Sequence, residues 1–187
     1  MEVEDIGCVK FARFPDRWLA LPQKPDPLTD HWTRVFARAD NFKIEISFYY
    51  RGMPIDDDTA KRFNDLVTSR TVGAVPEKLS PIEIKDLQIA MGYNHAGDNQ
   101  YTNSNMPGAA NGPIFDLAEV SAKRVAGRTV LYARGDFNSG THYAGIFYPS
   151  DSTGRVIEEF MLQAPDKVLL KQHLPAFESI IETFVWR

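Results

Sequence analysis

The strongest constraint on this chain lies between residues 114 and 163. Four short apolar-rich runs follow one another there, separated by a few turn-forming residues. Residues 114–125 carry Phe115, Leu117 and Val120, and Ala126-Gly127-Arg128 makes a tight turn. Residues 129–134 form the next run, and 135–140 read as a hairpin loop. Residues 142–148 are a third strand, 149–154 a further turn and 155–163 a fourth strand. Connections this short join only neighbouring antiparallel strands, so the four runs predict a meander.

The rest of the chain supplies more strands and the helices to cover them. Residues 9–14 alternate in character, 18–21 make a short run, and a proline-rich turn occupies 22–27. Residues 31–37 and 42–50 are the next strand pair. In the second, Phe42, Ile44, Ile46 and Phe48 share one face at period two. The break at 38–41 suits a hairpin, which pairs Val35 and Phe36 with the strand through Ile44 and Ile46. Asp56-Asp57-Asp58-Thr59 then opens a helix, its acidic first turn facing the positive end of the helix dipole. Phe63, Leu66, Val67 and Arg70 follow at helical spacing, with Gly73 as the stop.

Ser80-Pro81-Ile82-Glu83 has the serine cap, first-turn proline and third-position glutamate of a second helix start. Ile84, Leu87, Ala90 and Met91 make its apolar face and Gly92 its end, although Ile82, Ile84 and Leu87 also fit a strand. The closing region, 166–186, carries Leu169, Leu170, Leu174, Phe177, Ile180, Ile181 and Phe184 at helical spacing. Pro175 is expected to break it, with a second helix starting near Leu174. Strands, then helices, then strands and a closing helix imply an α+β fold, a mostly antiparallel sheet covered by helices. With no repeat or linker, residues 1–187 read as a single domain with a long polar loop at about 93–113.

Composition narrows the function. At 187 residues and 43% hydrophobic content the chain can bury a core without disulfides or metal. Its net charge is −4 and its basic residues are scattered, the densest group being Lys123-Arg124 with Arg128, so no nucleic-acid partner is expected. The apolar runs are too short for a transmembrane helix. The acidic start lacks a signal-peptide layout, so the expectation is a cytoplasmic protein, or a periplasmic one if a leader has been removed. The oligomeric state is not encoded.

Few residues suggest chemistry. The histidines, His31, His95, His142 and His173, lack the i, i+4 spacing of a helical zinc motif, and there is no CxxC. His142 and His173 read as exposed or satisfied structural side chains. Cys8, the single cysteine, reads as a small buried apolar residue. Neither a GxSxG elbow nor a P-loop occurs. Consecutive Asp56, Asp57 and Asp58 do not match a calcium loop and read as helix caps. Arg134-Gly135-Asp136 spells an adhesion tripeptide but reads as a turn. No catalytic residue, metal or cofactor is therefore expected.

The exception is the stretch 93–113. A structureless segment this long in a compact domain is usually functional or disordered. Tyr93, Asn94, His95, Asp98, Asn99, Tyr101, Asn103 and Asn105 offer aromatic faces and hydrogen-bonding groups suited to an adaptable contact surface.

The C-terminal half resembles the Mog1/PsbP-like family of α/β/α sandwiches. The resemblance rests on Val125-Ala126-Gly127-Arg128-Thr129-Val130-Leu131-Tyr132, on Tyr143-Ala144-Gly145-Ile146-Phe147-Tyr148, and on Val156-Ile157-Glu158-Glu159-Phe160. It closes on the run from Leu174 to Trp186, which looks like the family's last helix and terminal aromatic strand, with a final tryptophan packed on the sheet. Phe14-Pro15 followed by Trp18 is compatible with an opening strand. The match covers 60–80 residues and carries no catalytic motif; the asparagine-rich loop is extra to it. Members are mostly accessory or binding proteins, and some bacterial immunity proteins look similar.

The resemblance thus implies a non-enzymatic protein-binding domain, with a bacterial immunity protein neutralising one cognate secreted toxin or effector as the leading expectation. An acidic face would complement a basic toxin. The alternatives are an accessory subunit of a secretion or envelope assembly, and a small-molecule binder or unrecognised hydrolase using His95, Asp98 or His142.

Overall fold

A computed structural model of the chain describes residues 1–22, 32–50, 54–84, 87, 115–137 and 140–187. The architecture is α+β and dominated by antiparallel sheet. Ten strands are present among these residues: β1 (Glu2–Ile6), β2 (Val9–Arg13), β3 (Trp18–Ala20), β4 (Trp32–Arg38), β5 (Asn41–Tyr50), β6 (Phe115–Val125), β7 (Arg128–Phe137), β8 (His142–Pro149), β9 (Ile157–Ala164) and β10 (Val185–Trp186). Helix α1 spans Asp57–Thr68 and α2 spans Lys167–Glu182. Seven strands form one sheet in the order β3-β4-β5-β9-β8-β7-β6, and β1-β2-β10 form a second. The expected meander is the β9-β8-β7-β6 half of the large sheet.

Each face of the large sheet has its own core. On one, Phe36, Ile46, Phe48, Ile146, Phe160 and Leu162 pack against Phe177, Ile180 and Ile181 of α2 and against the small sheet. On the other, Leu131, Phe147, Ile157 and Met161 meet Phe63, Leu66 and Val67 of α1, together with Leu79 and Leu87. The period-two alternation of β8 and β9 feeds both.

Several local signals act as read. Asp56 caps α1 by accepting the Thr59 N–H at 2.8 Å. Ser80 and Glu83 form a reciprocal capping box, with the Ser80 N–H donating to Glu83 Oε2 at 2.8 Å and the Glu83 N–H to Ser80 Oγ at 3.3 Å. Residues 81–84 and Leu87 are helical, which decides against the strand alternative. The β6–β7 turn places Ala126 at φ 46° and Gly127 at φ 85°. Two successive positive φ values match the right-handed twist of the flanking strands. Trp186 packs edge-on against Tyr148 and Phe184 and donates from Nε1 to the Val125 carbonyl.

Other expectations are corrected. α1 ends at Thr68, five residues before Gly73, and Ser69 is its C-cap. Beyond it, Glu77 exchanges both backbone hydrogen bonds with Val120, so this segment lies along edge strand β6. Phe42 is exposed although Ile44, Ile46 and Phe48 are buried, because the β4–β5 register shifts between Ala37 and Arg38. β9 begins at Ile157, two residues later than expected. β7 runs on through Phe137, so Gly135 is not in a loop, and Arg134-Gly135-Asp136 is strand rather than turn. Pairing of Gly135 with Tyr143 and of Asp136 with His142 extends the ladder past the local turn signal.

Pro175 does not break the last helix, which is continuous over 16 residues. Pro175 and Lys171 both lie on the exposed side, so the Lys171 carbonyl that loses its N–H partner faces water. Pro175→Ala restores that bond. It is expected to raise stability by roughly 2 kcal/mol, less than the ~3 kcal/mol propensity difference because proline also restrains the unfolded chain. A higher urea midpoint at unchanged m-value checks this.

Candidate functional site

The loop positions singled out above, Tyr93, Asn94, His95, Asp98, Asn99, Tyr101, Asn103 and Asn105, lie outside the described residues, as does His31. The described residues contain a different polar constellation, on the α2 side of the sheet.

Its origin is the strand register. Glu119, Ser121 and Lys123 of β6 alternate with the inward Val120 and Ala122. They stand beside Arg134, Tyr132 and Val130 of β7, and Asp136 pairs across to His142 of β8. α2 packs chiefly on β8 and β9. These side chains therefore form a half-open strip between α2 and the sheet edge.

The strip is internally paired. Arg134 bonds to Glu119, and Lys123 Nζ lies 2.9 Å from Glu178 Oε1 on α2 and 5.2 Å from the centre of the Tyr132 ring. Asp136 accepts from His142 through Nδ1, while Lys167 Nζ, at the start of α2, lies 3.4 Å from its other oxygen. Burial works against ionisation of Asp136, but the bonds and charges of His142 and Lys167 outweigh it and hold the carboxyl below its usual range. Burial pushes the Tyr132 phenol up to about 12; Arg134 opposes this and Glu178 and Glu119 add to it. The strip thus presents fixed charges and one half-buried aromatic ring on a rigid sheet.

Two further titratable side chains singled out in the sequence are Cys8 and His173. The Cys8 thiol is buried and pushed up to about 12, first by burial and then by Glu158, with Arg128 opposing. It is therefore a thiol rather than a thiolate at neutral pH. His173 is half-buried and held below the usual histidine range by burial and Arg38, with Asp40 opposing. Among the described residues no group of three or more His, Cys, Asp or Glu side chains could hold a metal ion, and no helix is long and apolar enough to cross a membrane. α1 and the β8–β9 turn border an open groove lined by Asp57, Lys61, Asn64 and Thr153. Asp57 there pairs with Arg155, and Asp151 accepts bonds within its own turn.

No family model matches the sequence, and no curated protein matches it.

The sequence reading missed Glu119, Arg134, Asp136 and Lys123. A signal did exist: polar residues at period two in β6 and β7, on the positions that alternate with the apolar ones. Its meaning depends on register, because Glu119 and Arg134 are 15 residues apart and Lys123 and Glu178 are 55.

Proposed function

We propose that this chain is a non-enzymatic protein-binding domain, and specifically a bacterial immunity protein that neutralises one cognate secreted toxin or effector. The observation that carries the binding reading is the half-open strip around Tyr132, Arg134 and Asp136. Its ion pairs are already formed, so docking immobilises few free side chains, a cost that otherwise subtracts from affinity. Tyrosine and arginine are also the residue types that most often anchor interfaces. The immunity reading is supported by the acidic net charge and by the resemblance of the C-terminal half to the Mog1/PsbP-like fold, in which binding proteins predominate. Tyr93, His95, Asp98 and Tyr101 belong to the same proposal as anchors from the polar loop.

The test is a tagged pull-down from lysate of the source organism at high salt, with mass spectrometry, followed by a toxin challenge. One tight toxin-like partner is expected, together with sensitivity of cells lacking the gene. Arg134→Glu reverses a charge at the centre of the strip and is expected to weaken that complex at least 30-fold, about 2 kcal/mol. Normal toxin resistance without the gene sinks the immunity reading. A partner retained at full affinity by Arg134→Glu removes the strip from the interface.

The His142–Asp136 pair favours a second reading, an unrecognised hydrolase, because a carboxylate at Nδ1 orients an imidazole as a general base through Nε2. Ester and phosphoester substrates assayed against wild type and His142→Ala separate the two readings.

A further inference from the structure

The segment that follows α1 touches the edge of β6 twice. Val72 bridges Ala122 in parallel and Glu77 bridges Val120 antiparallel, so the segment advances five positions while β6 advances two. The surplus goes into a turn, in which the Ala74 N–H donates to the Thr71 carbonyl at 3.1 Å. The chain therefore bows off the sheet edge between its two anchors. Beneath the bow is a cavity of about 120 Å³. A single water needs only about 10–15 Å³ of such space, so a molecule of several non-hydrogen atoms fits.

The lining of this cavity includes the polar Arg70, Thr71 and Glu77 and the apolar Ala74, Val120 and Ala122. The Arg70 side chain is only 10% exposed. Its Nη1 donates to the Leu66 carbonyl at 2.7 Å and its Nη2 to Glu83 Oε1 at 3.2 Å. The other oxygen of Glu83 is taken by the Ser80 N–H and hydroxyl, both at 2.8 Å. That leaves Arg70 Nε, which is buried and has no hydrogen-bond partner. Glu77 Oε2 stands 3.9 Å from it, beyond hydrogen-bonding distance, on a side chain that is 67% exposed. A buried guanidinium N–H without an acceptor is costly, so an oxygen placed against Nε gains more than one in water.

Charge and lining narrow the class of ligand. Glu83 already balances Arg70, so the Glu77 carboxylate is one negative charge in excess. A ligand carboxylate that takes its place leaves the local charge unchanged once Glu77 turns out into water. A phosphate dianion would add to the excess instead. The apolar part of the lining suits a short alkyl chain.

We propose that the cavity between Arg70 and the edge of β6 binds a small aliphatic monocarboxylate. Its carboxylate accepts from Arg70 Nε, its alkyl end lies against Ala74, Val120 and Ala122, and Glu77 is the side chain it displaces. The site is separate from the strip beside α2 and does not depend on the protein-binding reading.

The test is a titration of the full chain with sodium butyrate at constant ionic strength, followed by amide chemical shifts in NMR, with inorganic phosphate as a second probe. Saturable shifts are expected at the Gly73, Ala74 and Ala122 amides, with a Kd on the order of 1–10 mM for so small a ligand. Glu77→Gln removes the competing carboxylate and is expected to tighten butyrate about threefold. Arg70→Gln removes the donor and is expected to weaken it at least tenfold, roughly the worth of a charged hydrogen bond. If Arg70→Gln does not fold, Glu77→Gln, at an exposed side chain, decides alone. The proposal is overturned by no saturable shift at these amides, by an affinity that Glu77→Gln leaves unchanged or lowers, or by full affinity in a folded Arg70→Gln. Inorganic phosphate binding there as tightly as butyrate overturns the monocarboxylate assignment.

Discussion

Phe160→Ala is expected to lower the stability of this protein by about 3–5 kcal/mol, the usual cost of emptying a buried aromatic site. Phe160 is fully buried at the centre of β9, between Phe48 of β5 and Ile146 of β8. Its ring stacks on Phe177 of α2 at 5.7 Å and meets Phe184 edge-on at 5.1 Å and Phe14 at 6.1 Å. One side chain therefore joins the large sheet to α2, to the segment leading into β10 and to the chain following β2. Truncation removes transfer free energy and three aromatic contacts at once, and the segments packed around the site cannot all collapse inward. Since domains of this size are stable by only about 5–15 kcal/mol, the loss is a large fraction of the whole. Urea denaturation is the check: the midpoint falls sharply at unchanged m-value. Phe42→Ala, at an exposed phenylalanine, is the control and is expected to change stability by less than ~0.5 kcal/mol. Comparable losses in the two variants would place the aromatic core wrongly.

Gly7→Ala carries the second-largest expected effect, for a different reason. Gly7 has φ +57°, a left-handed conformation that costs an alanine about 1–2 kcal/mol. The new Cβ would also stand 2.4 Å from both Glu158 Oε1 and the Phe48 ring. Neither neighbour is free to give way, because Glu158 is tied to the Cys8 N–H and Phe48 is fully buried. Overpacking of this kind adds roughly 1–3 kcal/mol. The sum is about 2–5 kcal/mol, a fall in Tm on the order of 10 °C for a chain of this length. Gly127→Ala separates the two causes: φ is +85° there but nothing lies within 4 Å, so only the conformational cost is expected. Equal Tm shifts for the two variants would show that the clash at Gly7 is relieved by backbone movement.

What could be read without coordinates was local. The meander needed only alternation and short turns. The Asp56 cap and the Ser80–Glu83 box act over three residues. The misreadings share one cause, a local signal outweighed by a distant contact. Gly135 carries a turn propensity, but the ladder to Tyr143 and His142 extends β7 through it. Pro175 carries a helix-breaking propensity, but Leu170 and Phe177 on either side of it are anchored in the core, and the orphaned Lys171 carbonyl is on the solvent side. β1 was invisible because Glu2, Glu4 and Asp5 mask the two inward residues, Val3 and Ile6. The site was harder still. Arg134, Asp136 and Lys123 look like ordinary surface charges until register sets them beside Glu119, His142 and Glu178.

Local patterns were enough to reach the fold class, an antiparallel meander with its covering helices and their caps, because period-two and period-3.6 patterns report directly on which face of an element is buried. The tertiary fold alone makes the N-terminal hairpin leave the main sheet and pair with the last two strand residues. It also decided that a charged strip gathers beside α2, and that Glu158 is buried where the two sheets meet. Those outcomes depend on residues up to 182 positions apart, such as Asp5 and Arg187. No pattern within one element encodes which distant element will cover it.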